Sequence, residues 1–244
     1  DDVDDLRVAQ VGNVFLEGEA EGQQACAARR AILHRQQPGQ LVGDVRPHVI
    51  VDATTGEDHL GVMPEALREI RDAVGRQRPD LAHDLTALRR ESIRLALSSA
   101  GDDPQLAGPA FEVFIAERHN VSFYPDALPA LQCLAARYPL VSLTNGNAEL
   151  SRVGLAPFFV ASIAALEVGV SKPDPRIFRA AAEAVGVHPH EVLHVGDDAV
   201  TDVLGACEAG MQAVWINRER AAWPHAHKPH LEVADLGGLV EALA

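Results

Sequence analysis

Between residues 63 and 122, apolar side chains recur every three or four positions, the period of a helix buried along one face. Leu67, Ile70 and Val74 predict a helix over 64–78, with Pro64 suited to its first turn. Leu85, Leu88, Ile93 and Leu97 predict a second over 84–98, where Asp84 is placed to cap the first free N–H groups. A third helix is expected over 109–119. No strand pattern interrupts the three, so this stretch reads as a small helical subdomain.

After Tyr124-Pro125-Asp126 the pattern alternates. Helices are expected over 127–137, 148–153, 175–185, 201–209 and 236–243. Short apolar runs, read as strands, lie over 140–143, 161–165, 192–195 and 213–216. Strands that take turns with helices imply a parallel sheet with helices on both faces. Ligands of such sheets bind beyond the carboxyl ends of the strands. Residues 1–62 do not share the pattern: they hold no Lys, are rich in Gln, Gly, Asp and Glu, and offer short apolar pieces at 14–16 and 48–51. The chain therefore divides into an unassigned segment 1–62, a helical part 63–122 and an α/β part 123–244.

Composition narrows the function classes. The chain has 244 residues, 47% of them hydrophobic, enough for a sizeable core. A formal charge of −14 argues against a protein that coats nucleic acid or an anionic membrane. Cys26, Cys133 and Cys207 form no CxxC pair and no disulfide framework, which points to a reducing, cytoplasmic setting. No apolar run approaches the roughly 18 residues of a membrane span, and the acidic start does not resemble a signal peptide.

Three strand ends carry the candidate chemistry. In Thr144-Asn145-Gly146, a hydroxyl, an amide and a flexible backbone can donate to an anion without adding charge; the plain alternative is an Asn-Gly turn. In Ser171-Lys172-Pro173-Asp174-Pro175, the lysine, one of two in the chain, sits between prolines on a stiffened loop; the alternative is a solvated lysine ahead of a helix. In His194-Val195-Gly196-Asp197-Asp198, two adjacent carboxylates follow an apolar run, and Asp202, Gly205, Ala206, Ala209 and Gly210 follow on a small-residue helix. Neighbouring acids repel unless a cation sits there, which suits a hard metal ion and a phosphate; otherwise the acids cap the helix and face water.

The ordered series TNG, SKPDP and GDDxxxDxxGAxxAGM resembles motifs II, III and IV of the haloacid dehalogenase-like hydrolases. The resemblance covers about Met63 to Ala244, and the helical stretch ahead of Tyr124 is similar to the cap of the phosphatase-like subgroup. It implies an α/β fold, a Rossmann-like parallel sheet core with a small helical cap subdomain. It also implies an Mg²⁺-dependent phosphatase acting on a small phosphorylated metabolite through an aspartyl-phosphate intermediate. Thr144, with the backbone amide of Asn145, would bind the phosphoryl oxygens, and Lys172 would neutralise charge on nucleophile and phosphate. Asp197 would bind Mg²⁺, Asp198 would hold a metal water or Lys172, and Asp202 would steady the loop. The dehalogenase branch is metal-free and normally lacks a second acid after the Gly-Asp position, so Asp197-Asp198 favours the phosphatase. An inactive relative that binds a ligand is the remaining alternative.

The family's first motif, a strand ending in Asp-x-Asp-x-Thr, supplies the nucleophile, and no good copy exists here. Asp2 belongs to an Asp-x-Asp, but Leu6 stands where Thr should. Glu17 and Glu19 follow an apolar piece, but each is one methylene too long for an in-line attack. Asp52 precedes Ala53-Thr54 with no second carboxylate. The intervening helices need on the order of 100 residues before Thr144. That makes Asp2 too far, Glu17 acceptable and Asp52 tight, so no nucleophile is assigned. A wrong start, a frame disturbance or a fusion would explain the break before Met63.

Other groups are given plainer roles. His225, His227 and His230 match no common zinc spacing and read as a solvated loop. Arg89-Arg90 reads as an exposed helix face, or as a grip for an anionic substrate. Phe111, Phe114, Phe158, Phe159 and Phe178 read as core aromatics.

Overall fold

The computed structural model describes residues 7–12 and 64–244, apart from the side chains of 64–68. Six parallel strands form one sheet: β1 (Val8–Val11), β2 (Leu140–Thr144), β3 (Ala161–Ala164), β4 (Val192–Gly196), β5 (Gln212–Ile216) and β6 (Leu231–Val233). Their spatial order is β3-β2-β1-β4-β5-β6. The expected α/β architecture is present.

The centre of the sheet comes from an unexpected place. Residues 1–62 were expected to stand outside the pattern, yet Val8–Val11 is the strand on which both halves of the sheet pair. Gln10 lies opposite Val141 of β2 and His194 of β4. Val8, Ala9 and Val11 are buried, and so is Gln10, whose side-chain amide has no hydrogen-bond partner among the described residues. A four-residue strand with glutamine inside it shows neither an apolar run nor alternation. It is held by both neighbours instead: Arg7 donates from its backbone N–H to the carbonyl of Glu191, and Gly12 to that of Val195 at 2.7 Å. Asp2, Glu17 and Asp52 lie outside the described residues.

The eight helices of the described residues are α1 (Pro64–Gln77), α2 (Leu85–Ala100), α3 (Ala107–Arg118), α4 (Ala127–Ala135), α5 (Ala165–Val168), α6 (Pro175–Ala184), α7 (Gly205–Glu208) and α8 (Leu236–Ala242). A wide π-helical turn, Ala199–Leu204, runs directly into α7. One face of the sheet packs Ala9, Val11, Leu193 and Val195 against Leu131, Leu134 and Leu239 of α4 and α8. The other packs Val8, Val141, Leu143 and Val192 against Ile177 and Phe178 of α6 and Ala206 of α7. Burying such side chains stabilises by roughly 1.5–3 kcal/mol each.

The expected helix over 148–153 does not form. Six residues between Asn147 and Gly154 close one helical turn, Val153 N–H to Glu149 carbonyl at 3.2 Å, before Gly154 adopts a φ of +79°. Nucleation without propagation leaves a turn. β6 and α5 carried no expectation: three and four residues are too few to show a period.

Contacts along the chain separate a unit of residues 1–17 and 122–244 from one of residues 18–121. Within the second, α2 packs on α1 and α3. Its N-cap is the expected one, Asp84 accepting from Ala87 N–H at 2.8 Å. Arg89 and Arg90 lie over the rings of Phe114 and Phe111, and Arg90 reaches Glu112 at 2.9 Å. They brace α2 against α3. No helix of the described residues is long and apolar enough to cross a membrane.

Candidate active site

Three loops leave the carboxyl edge of the sheet and are stitched together by side chains. After β2, Thr144 Oγ1 accepts from Gly146 N–H at 2.8 Å, which closes a tight turn and leaves the hydroxyl hydrogen to donate elsewhere. Asn145 reaches across to the loop after β3: its Oδ1 accepts from Lys172 N–H at 2.7 Å, and its Nδ2 donates to the Lys172 carbonyl at 2.9 Å. The amide expected to face an anion is thus spent on fixing the backbone of Lys172.

Lys172 is buried, not a solvated surface lysine. Its Nζ donates to Asp202 Oδ1 at 2.5 Å. The same oxygen accepts from His194 Nε2 at 3.1 Å, and Asp202 Oδ2 accepts from Asp198 N–H at 3.2 Å. A carboxylate can only accept, so His194 carries its proton on Nε2. Burial holds His194 neutral, its pKa lowered despite the nearby Asp202. Burial alone would raise the pKa of Asp202. The His194 hydrogen bond and the Lys172 charge outweigh it, and the group stays ionised, well below the usual carboxylate range.

This corrects one expectation. Asp202, not Asp198, is the partner of Lys172. Asp198 Oδ1 instead accepts from Val200 N–H at 2.9 Å and Thr201 N–H at 2.6 Å, capping the π-helical turn. His194 was missed: a histidine between Leu193 and Val195 in a buried strand looks like any core residue, and only its hydrogen bond to Asp202 shows its use.

Glycines give the fourth-motif spacing its physical meaning. A Cβ on Gly196 would overlap the side chain of Asp202. On Gly205 it would lie 2.9 Å from the ring of Phe178 and 3.0 Å from Pro173 Cα. Glycine at 196 lets Asp202 fold back on β4; glycine at 205 lets α7 approach both α6 and the lysine loop. Phe178 meets the His194 ring edge-on at 5.0 Å.

Asp197 sits at the tip of β4. Solvent reaches it from one side, yet protein crowds its carboxyl. Loss of water first, and the charge of Asp202 second, push its pKa up to about 6. Its carbonyl accepts from Trp215 Nε1 at 2.8 Å, which fixes the loop to β5. A carboxylate raised in this way would welcome a cation. Mg²⁺, however, needs several oxygens at octahedral positions. Among the described residues, no cluster of three carboxylate, imidazole or thiolate groups is close enough to hold a metal. Asp198 and Asp202 are turned to capping and to Lys172, so the described residues do not by themselves fit the ion.

The histidine-rich loop lies elsewhere. His230 Nδ1 accepts from Ala213 N–H at 3.1 Å at the edge of β5, and Trp223 Nε1 donates to the His227 carbonyl at 2.8 Å.

Comparison with known proteins agrees with this architecture. A family model described as haloacid dehalogenase-like hydrolase matches residues 47–210. The chain belongs to the haloacid dehalogenase-like hydrolases. It is an enzyme of that hydrolase family, similar over 187 residues, at 36% identity, to the 5-amino-6-(5-phospho-D-ribitylamino)uracil phosphatase of Escherichia coli. That match covers 73% of this chain and 79% of the relative. It is 40% identical over 154 residues to the phosphoserine phosphatase of Thermus thermophilus, covering 61% of this chain and 62% of that one. A solved 2-haloacid dehalogenase from Pseudomonas syringae superposes with a TM-score of 0.78 at 31% identity, covering 98% of both chains. Relatives within the family therefore include both phosphatases and dehalogenases.

Proposed function

We propose that this hydrolase acts on a small phosphorylated metabolite, as the phosphatase branch of its family does. The observation that carries this reading is the buried Lys172 ammonium, fixed by Asp202 through its head and by Asn145 through its backbone, beside the Thr144 turn. A phosphoryl group brings up to two negative charges and three oxygens; it needs a fixed cation and several N–H or O–H donors. Lys172 supplies the cation, while the Thr144 hydroxyl and the Asn145 backbone N–H supply donors. Asp198, by capping the π-helical turn, keeps Asp197 and Asp202 in place. Two relatives named for a phosphoserine and for a phosphoribitylamino compound suggest small polar phosphate esters.

A second reading, dehalogenation of a 2-haloacid, draws on the superposition with the Pseudomonas syringae enzyme. Ligand-induced stabilisation separates the two. Inorganic phosphate and phosphoserine should raise the melting temperature saturably, and Lys172→Met should abolish the effect. Chloride release from (S)-2-chloropropionate, with no stabilisation by phosphate, would establish the dehalogenase instead.

A further inference from the structure

Asp202 is the hub of the buried charges, and each of its donors comes from a different place in the fold. Asp198 N–H, on Oδ2, opens the turn that carries Asp202 and moves with it. Lys172 Nζ, on Oδ1, ends a flexible four-carbon stem. His194 Nε2, also on Oδ1 at 3.1 Å, stands on the sheet itself. β4 is paired on both sides at that residue, with Gln10 of β1 and Ala213 of β5. The imidazole is fully buried, and the ring of Phe178 meets it edge-on at 81°. Of these donors, His194 is therefore the one that ties the carboxylate to a rigid frame.

We propose that His194 is a positioning residue for the Lys172 ammonium, acting through Asp202: the Nε2–H of its ring fixes the carboxylate that in turn fixes where the lysine head sits. The proposal rests on the phosphoryl-binding reading above and deepens it, since it names the group that sets the place of the cation. Ring charge matters as much as ring position. A neutral imidazole adds a donor beside the ammonium without repelling it, whereas an imidazolium would set a second positive charge against Lys172. Burial keeps the ring neutral. Its Nδ1 meets no partner among the described residues, so Asp202 is what holds the proton on Nε2. Without His194 the carboxylate would be free to turn about its Cβ–Cγ bond, and the lysine would follow it. A ligand that needs a fixed cation would then lose affinity while the fold persists.

Three substitutions separate the donor from the packing. His194→Gln puts a carboxamide N–H near the place of Nε2. His194→Asn puts one near the place of Nδ1, too far back to reach Asp202. His194→Phe keeps a ring and has no donor. The chain holds two lysines, Lys172 and Lys228, so in full-length protein labelled isotopically at lysine each ammonium is a separate magnetic-resonance signal, and Lys172→Met identifies the buried one.

The Lys172 ammonium signal should be present in the wild type and in His194→Gln, and lost to exchange with water in His194→Asn and His194→Phe. The dissociation constant of inorganic phosphate, read by calorimetry, should rise about 10-fold in His194→Asn and His194→Phe and stay within about threefold of wild type in His194→Gln, the scale of loss when a group behind a binding residue is removed. Denaturant midpoints read folding separately. Losses that track stability alone, with His194→Gln no better than His194→Asn, overturn the proposal and leave His194 a packing residue. If His194→Asn and His194→Phe do not fold, the wild type decides: proton–nitrogen spectra of the histidine rings should place the His194 proton on Nε2, and a proton on Nδ1 overturns the proposal. Absence of phosphate binding by the wild type removes the phosphoryl-binding reading, whereas the lysine signals still decide the role of His194.

Discussion

The described ion pairs of the helical unit lie at the surface, whereas the α/β unit holds, besides surface pairs such as Arg176–Asp174, a buried cluster around Asp202. Arg90–Glu112 at 2.9 Å, Arg94–Glu91 at 2.6 Å and Arg78–Asp80 at 2.7 Å all stay substantially in water. Lys172–Asp202 and His194–Asp202 have almost none. Similar distances conceal different energetics. A solvated pair exchanges one favourable environment for another and is worth about 0–1 kcal/mol. A buried pair has already given up its hydration, so each partner depends on the other. Such an arrangement is a poor way to gain stability and a good way to hold an ammonium in one place.

That contrast can be broken most sharply at Asp202. Asp202→Ala should destabilise by about 3–5 kcal/mol, because Lys172 and His194 both lose their acceptor. Lys172→Met combined with Asp202→Leu should recover most of that loss, as measured by a double-mutant cycle in denaturant; additive losses would mean the pair is not coupled. Gly205→Ala should cost about 1–3 kcal/mol, since its Cβ would meet the Phe178 ring.

Acid should sharpen the difference next. Below pH about 6.5 the unfolded chain protonates His194, while the folded chain keeps it neutral. The unfolded state then binds more protons, so stability falls as pH drops through that value, by at most about 1.4 kcal/mol per pH unit from this group. Melting temperatures of wild type and His194→Gln between pH 7.5 and 5.5 should converge as the pH falls; parallel curves would refute the assignment. At the small end, Arg90→Ala should change stability by under about 1 kcal/mol, partly through its lost stacking on Phe111.

Legibility in the sequence followed the same physics. β2 and β4 end in apolar runs that stop at a hydroxyl or an acid, so both strand and chemistry could be read. Lys172 was visible because lysine is scarce in this chain and flanked by prolines. Its partner was not: Asp198 and Asp202 are equally acidic in a string of letters, and only the fold-back over Gly196 brings the second to the ammonium. β1 was illegible for the opposite reason. Its four residues hold a buried glutamine and show neither an apolar run nor alternation. The helix expected over 148–153 shows the reverse error, apolar spacing without the length to propagate.

Trp215 offers a practical consequence. Its indole is tied to the Asp197 carbonyl, it is nearly buried, and the only other indole in the chain, Trp223, lies against it at 4.9 Å between ring centres. Ultraviolet emission from this protein therefore originates beside the tip of β4, and a molecule settling there should change its colour or brightness without any added dye.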